Sequence, residues 1–240
     1  MTQYLMVKPA LSQPIFPLNL RNVNEIFPGF TLGDFAVLKG SSVSSLTSLL
    51  CVKSQLPTQL GGLQSNVIFI DGGNTFELYQ IARLAQLHHL NPKQVLDNIY
   101  LSRAFTAYQA TALVLLHLKE AINKYNAKLV IISDIAGFFL DKDIPEDEAQ
   151  RIFRQVTTFL SNFARETQTI IIATYPQHAE TARNSFLQTL TQAKANVVLS
   201  LRRTGYSRQF VLEKHSYLSS KVAELPLEDL TLLDFAEVSA

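Results

Sequence analysis

The stretch that decides the fold runs from Phe35 to Thr47 and reads F-A-V-L-K-G-S-S-V-S-S-L-T. Its second half has the spacing of the phosphate-binding loop G-x-x-x-x-G-K-[ST], with Gly40 first and Thr47 last. Ser45 stands where the pattern has its second glycine, and Leu46 stands where it has the phosphate-binding lysine. Because leucine offers neither charge nor a hydrogen bond, the stretch indicates a nucleotide-binding loop that has lost its key cation.

The context of this loop supports the match. The apolar run from Phe35 to Gly40 predicts a buried strand, and the pattern from Ser44 to Gln55 predicts an apolar helix. A phosphate-binding loop lies between a strand and a helix, which is where the altered motif is found.

The rest of the chain alternates predicted strands and helices. Further strands are predicted at 66–70, 99–103, 128–134 and 170–174, with helices at 75–89, 107–125, 145–167 and up to 194. Two runs around Thr204 and Gly205, V-V-L-S-L-R-R and Q-F-V-L-E-K, predict a closing antiparallel hairpin. We therefore expect one α/β domain with a mostly parallel sheet, an N-terminal arm at 1–30 and an acidic, Leu-rich tail at 220–240.

Composition excludes several classes of protein. The chain has 240 residues, a net charge of +1 and one cysteine. We therefore expect neither a strong overall electrostatic attraction to nucleic acid nor an internal disulfide. We find no signal peptide and no apolar run long enough to span a membrane, and we expect a cytoplasmic protein. The five histidines show no metal-ligand spacing, and the adjacent His88 and His89 fit a helix end that favours cations, so we predict no metal site.

Four segments resemble the ATPase core of the RecA/RadA recombinase superfamily, over about residues 22–215. They are I-F-P-G-F-T-L-G-D-F-A-V-L-K-G, V-I-F-I-D-G-G-N-T-F, V-L-D-N-I-Y-L-S-R-A-F and L-V-I-I-S-D. The third is the most specific, because it keeps the family's spacing of Asp97, Asn98, Arg103, Ala104 and Phe105. The resemblance implies a RecA-like P-loop fold and is greatest to the archaeal and eukaryotic branch and its paralogues.

The departures from the family fall on catalytic positions. The family's water-orienting Glu corresponds to Gly73, and its Walker B acid corresponds to Ser133, with Asp134 one residue late. A shift of one residue along a strand turns a side chain to the other face unless the backbone bulges. The family's sensor Gln corresponds to Pro176, with Gln177 one step on.

Thr47 has two interpretations. Its hydroxyl could bind Mg²⁺, or it could cap the helix that follows the loop, and we favour the cap. We expect ATP with Mg²⁺ to bind weakly if at all, and we expect no other cofactor. The residues of this vestigial nucleotide site are Gly40, Ser44, Ser45, Leu46, Thr47 and Asp134.

A group of cations lies on the predicted hairpin. These residues could hold nucleic-acid phosphates, or they could be charges on a solvated edge that block strand pairing, which is the interpretation that we favour. The candidates for DNA binding are Arg202, Arg203, Arg208 and Lys214.

The sequence thus favours a non-catalytic RecA/RadA-like paralogue that acts as an accessory factor in DNA recombination or repair. Its expected partners are recombinase or paralogue proteins, with weak DNA contact and oligomer formation left open. The family's F-x-x-A self-association motif has no counterpart before the core. Two alternatives stay open: an atypical ATPase that uses Lys39, Lys53 or an Arg from a neighbouring subunit, and a KaiC-like signalling module.

Overall fold

A computed structural model describes residues 15–40, 43–205 and 207–226. The strands in these ranges are β1 (Ile15–Phe16), β2 (Phe30–Thr31), β3 (Phe35–Gly40), β4 (Asn66–Asp71), β5 (Ile99–Arg103), β6 (Ala127–Ser133), β7 (Ile170–Tyr175), β8 (Val197–Thr204), β9 (Ser207–Lys214) and β10 (Lys221–Pro226). The α-helices are α1 (Val43–Lys53), α2 (Leu78–Leu87), α3 (Pro92–Asp97), α4 (Ala107–Ala112), α5 (Leu118–Tyr125), α6 (Glu146–Thr167) and α7 (Ala182–Lys194).

One eight-stranded sheet organises the molecule, in the order β10-β9-β8-β3-β7-β6-β4-β5. The strands from β8 to β5 run parallel, and β8, β9 and β10 pair antiparallel. The central strands are buried on both faces, which explains their continuous apolar runs. The expected α/β fold with a mostly parallel sheet and a closing antiparallel hairpin is confirmed.

Helices cover both faces of this sheet. The first face packs against α1, α2 and α3 together with the N-terminal segment, and the second packs against α4 to α7. Side chains of β3 alternate between the two faces, with Leu38 on the α1 side and Val37 on the α6 side. None of the helices in the described ranges is long and apolar enough to cross a membrane.

Both ends of the described chain pack on the first face. Phe16, Leu18 and Phe27 of the N-terminal arm are buried there. The first part of the expected tail at 220–240 is a strand, because Lys221–Pro226 form β10 at the edge of the described sheet, with Ala223 buried. Residues 1–14 of the arm and 227–240 of the tail lie outside the described residues.

Two local features were not expected. Helix α3 forms because Pro92 occupies its first turn and the Asn91 side chain accepts hydrogen bonds from the Lys93 and Gln94 amides. The helix predicted at 107–125 is interrupted, since Leu113–His117 form a π-helix between α4 and α5. Neither feature alters the carboxyl-terminal edge of the parallel strands, where α/β proteins bind their ligands.

Candidate functional site

The start of α1 differs from a phosphate-binding loop. The helix already begins at Val43, so Leu46 and Thr47 lie inside it rather than at its entrance. Leu46 is only 2% exposed and belongs to the core between α1 and the sheet. Its side chain therefore stabilises the fold and does not face the edge where a phosphate would bind.

Thr47 does not cap the helix, so our expectation was wrong. It is the fifth residue of α1, four positions after the first, and its side chain is buried. Its hydroxyl donates a 2.8 Å hydrogen bond to the Ser44 carbonyl oxygen within the same helix. The neighbouring Ser45 hydroxyl accepts from Gln80 Nε2 of α2 at 3.2 Å, so the polar groups of this turn bond to the protein.

Gly40 is required by packing against the next strand. Its φ is +101°, a conformation that favours glycine. It pairs with Leu201 of β8, and a Cβ atom at position 40 would collide with the Leu201 carbonyl oxygen. The close approach of β3 and β8 thus accounts for this glycine without a bound phosphate.

Two proposed substitute cations are engaged elsewhere. Lys53 ends α1, is 1% exposed, and donates to the carbonyl oxygens of Pro17 at 2.8 Å and Leu18 at 3.1 Å. Burial lowers the pKa of Lys53 to about 7. Lys39 donates to Glu213 Oε2 at 2.8 Å. Both lysines that could replace the missing cation thus bind groups of the protein itself.

A buried carboxylate that the sequence did not single out lies at the end of β4. Asp71 Oδ1 accepts hydrogen bonds from Ser133 Oγ at 2.7 Å and from the Thr75 amide at 2.9 Å. Its Oδ2 atom is buried without a hydrogen bond from the described residues, and the guanidinium of Arg103 lies 3.5 Å away. An acidic residue directly after the apolar run V-I-F-I was the available signal, since strand ends line this edge.

Ser133, at the family's Walker B position, takes part in the same network. Its hydroxyl oxygen accepts from the amides of Gly72 at 3.0 Å and Gly73 at 3.1 Å while donating to Asp71. Strand β6 pairs with β4 through Ser133 and Asp71, so these two side chains are neighbours on the sheet. Ser133 therefore ties β4 to β6.

Asp134 leaves the strand instead of continuing it. Its φ is +46°, and its amide donates to Thr174 Oγ1 at 2.8 Å. Its Oδ1 atom accepts from the Gly137 amide at 3.0 Å and lies 2.8 Å from His178 Nε2. The carboxylate is thus bound to the segments after β6 and β7, while the Thr47 hydroxyl stays within its own helix.

The cations of the hairpin divide into two pairs. Arg202 donates to Glu213 Oε1 at 2.6 Å, and Lys214 Nζ donates to the carbonyl oxygens of Gln192, Ala193 and Ala195 at the end of α7. Burial raises the pKa of Glu213, but hydrogen bonds from Lys39 and Arg202 outweigh it, so that pKa lies below its usual value. Burial also lowers the pKa of Lys214.

Arg203 and Arg208 form the second pair. They lie directly opposite each other on β8 and β9, and neither makes an ion pair with any described residue. Like charges opposite each other on a sheet are destabilising, so this pair has a cost that an anion would remove.

His88 also departs from expectation. It is buried, and neither ring nitrogen has a hydrogen-bond partner among the described residues. Burial, with a smaller effect from Lys53, lowers the pKa of His88, so a cation at a helix end does not explain it. Among residues 15–40, 43–205 and 207–226, no three His, Cys, Asp or Glu side chains are grouped to hold a metal ion.

The side chains present do not fit ATP with Mg²⁺ held in the way that the sequence pattern implies. The lysine position is a core leucine, and the hydroxyl of Thr47 is bonded to Ser44. Position 73 carries no side chain, and Ser133 is bonded to Asp71. Hydrolysis needs charge stabilisation and a positioned water, and these positions supply neither.

Comparisons with known proteins identify the family. The model of the Rad51 family matches residues 23–195, most of the chain. The DNA repair and recombination protein RadA of Cenarchaeum symbiosum (strain A) is 30% identical over 100 residues, 42% of this chain and 25% of that protein. RadA of Aeropyrum pernix is 29% identical over 122 residues, 51% of this chain and 35% of that protein. The matched regions thus span between a quarter and about a third of these relatives, and the chain belongs to the Rad51 family within the RecA/RadA recombinase superfamily.

Proposed function

We propose that this chain is a non-catalytic member of its family that serves DNA recombination or repair through contacts with other proteins. The observation that carries the proposal is the burial of Leu46 in the core, where the family's pattern has its cation. The absence of a side chain at Gly73 adds a second, independent loss. The link to recombination and repair comes from the Rad51 family match and the RadA relatives.

The test is phosphate release by the purified protein, with and without single-stranded DNA. We expect no turnover above that of a protein-free control under either condition. Turnover of about 1–100 s⁻¹, the range usual for phosphoryl-transfer enzymes, would overturn the proposal and support an ATPase completed by a neighbouring subunit's arginine.

An exposed apolar region supports the part of the proposal that concerns protein contacts. Strand β5 is an edge of the sheet, and Leu101 on it is 39% exposed. Phe105, directly after this strand, is 74% exposed, and Leu116 in the π-helix is 71% exposed. Large exposed apolar side chains on and directly after an edge strand of the described sheet, such as Leu101 and Phe105, are typical of an interaction surface.

The recombinase of the same organism is the partner to test, by titration calorimetry with purified proteins. We expect Phe105→Ala with Leu101→Ser to weaken binding at least about tenfold, because buried aromatic and aliphatic anchors dominate such interfaces. Tyr217→Ala is the matched control, since Tyr217 is 77% exposed in the segment between β9 and β10. Equal binding by wild type and the double variant would exclude this surface.

DNA contact by the hairpin is a second candidate function. Arg203 and Arg208 support it because they lie side by side without an ion pair, whereas Arg202 and Lys214 bond to the protein. We expect Arg203→Ala with Arg208→Ala to weaken binding of single-stranded DNA and to reduce the slope of log K against log salt by about 1.4, or 0.7 for each phosphate contact.

The matched control replaces the other two cations, Arg202→Ala with Lys214→Ala, which removes the same formal charge. If both double variants lower the slope equally, net charge alone explains binding and the assignment to Arg203 and Arg208 is wrong. If the wild type does not bind at low salt, the hairpin is only a charged edge.

A further inference from the structure

The surroundings of Asp134 are built to receive its side chain. A Cβ atom at Gly73 would lie 2.9 Å from Asp134 Cβ, closer than side-chain atoms normally approach. A Cβ atom at Gly137 would collide with the Asp134 carboxylate itself. Asp134 adopts φ +46°, which aspartate tolerates better than most residues. These glycines and this aspartate therefore depend on one another.

The close approach of Asp134 to Gly73 leaves no room for a glutamate at position 73. Any side chain at position 73 would begin where Asp134 already stands. The resemblance implies a glutamate at position 73, after β4. The space beside that position instead holds the side chain of Asp134, from the end of β6. Among the described residues, the side chain that contacts this carboxylate is His178, from the segment between β7 and α7.

Asp134 binds three parts of the chain: strand β7, the turn after β6 and the segment between β7 and α7. Its amide bonds to Thr174 in β7, and its carboxylate bonds to the Gly137 amide after β6. His178 binds the same carboxylate from the segment between β7 and α7, at 2.8 Å. The two side chains are 14% and 19% exposed, so water screens this pair less than a surface salt bridge.

The segment that carries His178 is also held on its other side. The His178 ring packs edge-on against Tyr175, with 5.8 Å between ring centroids. The Tyr175 hydroxyl donates to Asn184 Oδ1 in α7 at 2.7 Å. Between these contacts, Gln177, Ala179 and Glu180 are exposed. The Ala179 carbonyl oxygen also accepts a 3.0 Å hydrogen bond from Asn184 Nδ2, which ties the stretch to α7, whereas the Asp134 contact ties it to the end of β6.

We propose that the Asp134–His178 pair is a latch that holds residues 176–181 in one arrangement without any nucleotide. The latch occupies space that a side chain at position 73 would need, so it and a glutamate at that position exclude each other. His178 is a positioning residue in this proposal. The latch does not depend on whether the chain hydrolyses ATP. A failed phosphate-release test would therefore overturn the proposed function alone, and a failed spin-label test would overturn the latch alone.

A nitroxide spin label on the exposed segment tests the latch. Cys51 is fully buried, so Glu180→Cys provides one accessible thiol for labelling. We expect an ordered label whose spectrum does not change with ATP and Mg²⁺. His178→Ala in this background is expected to shorten the label's correlation time by roughly twofold or more, as the segment gains loop motion.

Two controls make the experiment decisive. A label at Thr189→Cys, on an exposed position of α7, is expected to be unchanged by His178→Ala and reports that the fold persists. His178→Gln keeps a side-chain N–H donor and is expected to retain the ordered spectrum. The proposal is overturned if the wild-type label is already as mobile as in His178→Ala, if ATP changes it, or if Gln and Ala behave alike.

Discussion

The start of α1 and the carboxyl ends of β4 and β6 engage their side chains in different ways. At the start of α1 the side chains point inward: Leu46 lies in the core, and the Thr47 hydroxyl donates within its own helix. At the ends of β4 and β6 the side chains are polar. Ser133 donates to Asp71 and accepts from the Gly72 amide, and Asp134 contacts His178. The first region is apolar, and the second keeps polar side chains that bind other parts of the protein.

This difference predicts how each region responds to mutation. A cation returned to the first region must be buried without a partner, which costs several kcal/mol. A change in the second region breaks hydrogen bonds or close contacts. Each of these contributes less free energy than burial of a charge, but their energies are coupled.

Leu46→Lys should be the most damaging single change at the start of α1. We expect it to lower the free energy of unfolding by about 3–5 kcal/mol, because it places an unpaired charge in the core. Urea denaturation measures the loss, and calorimetry with ATP should show no gain in affinity. Ser44→Lys, in the same helix but partly exposed, is the control and should cost much less. A stable Leu46→Lys variant that binds ATP would show that this side chain can leave the core.

Lys53, at the other end of α1, should make stability depend on pH. Its pKa in the folded protein is about 7, below the usual value of about 10.4, so between these values the unfolded chain holds a proton that the folded chain lacks. Stability contributed by Lys53 therefore rises with pH, by at most about 1.4 kcal/mol per unit. We expect the difference in unfolding free energy between wild type and Lys53→Met to grow in favour of wild type from pH 7 to 9. A constant difference would contradict this.

Gly73 and Asp134 should show energetic coupling. Gly73→Ala brings its Cβ within 2.9 Å of Asp134 Cβ, so it should destabilise the wild type. In an Asp134→Gly background this Cβ is absent, and the same change should be tolerated. We expect a coupling energy of about 1–2 kcal/mol from thermal unfolding of the four proteins in the cycle. Strict additivity would mean that the two positions do not compete for space.

Thr47→Val should have the smallest effect. The change preserves shape and removes only a hydroxyl that donates within its own helix, so the expected loss of stability is about 0.5–1 kcal/mol. Affinity for ATP with Mg²⁺, measured by calorimetry, should not change. A large loss of nucleotide affinity would mean that the hydroxyl turns outward to hold Mg²⁺, and the burial described for Thr47 would then apply to one state only.

The sequence predicted the fold well because burial leaves a strong pattern. Strand β3 has the predicted bounds, and β6 differs from 128–134 by a single residue at each end. The spacing of Gly40 and Thr47 could not show that α1 begins at Val43, since helix bounds depend on local packing. The network of Asp71 and the pair of Asp134 and His178 join residues from separate strand ends, and a single sequence holds no record of such contacts.

The sheet order also matters while the protein is being made. Strand β3 lies at the centre of the sheet, yet both of its neighbours, β7 and β8, come late in the chain, with Phe35 pairing with Ile171. At about 5–20 residues per second, a ribosome needs roughly 7–27 s to make the 136 residues that separate this pair. Throughout that time the apolar F-A-V-L strand has no partner from its own sheet, so the nascent chain should depend on chaperones more than its size suggests.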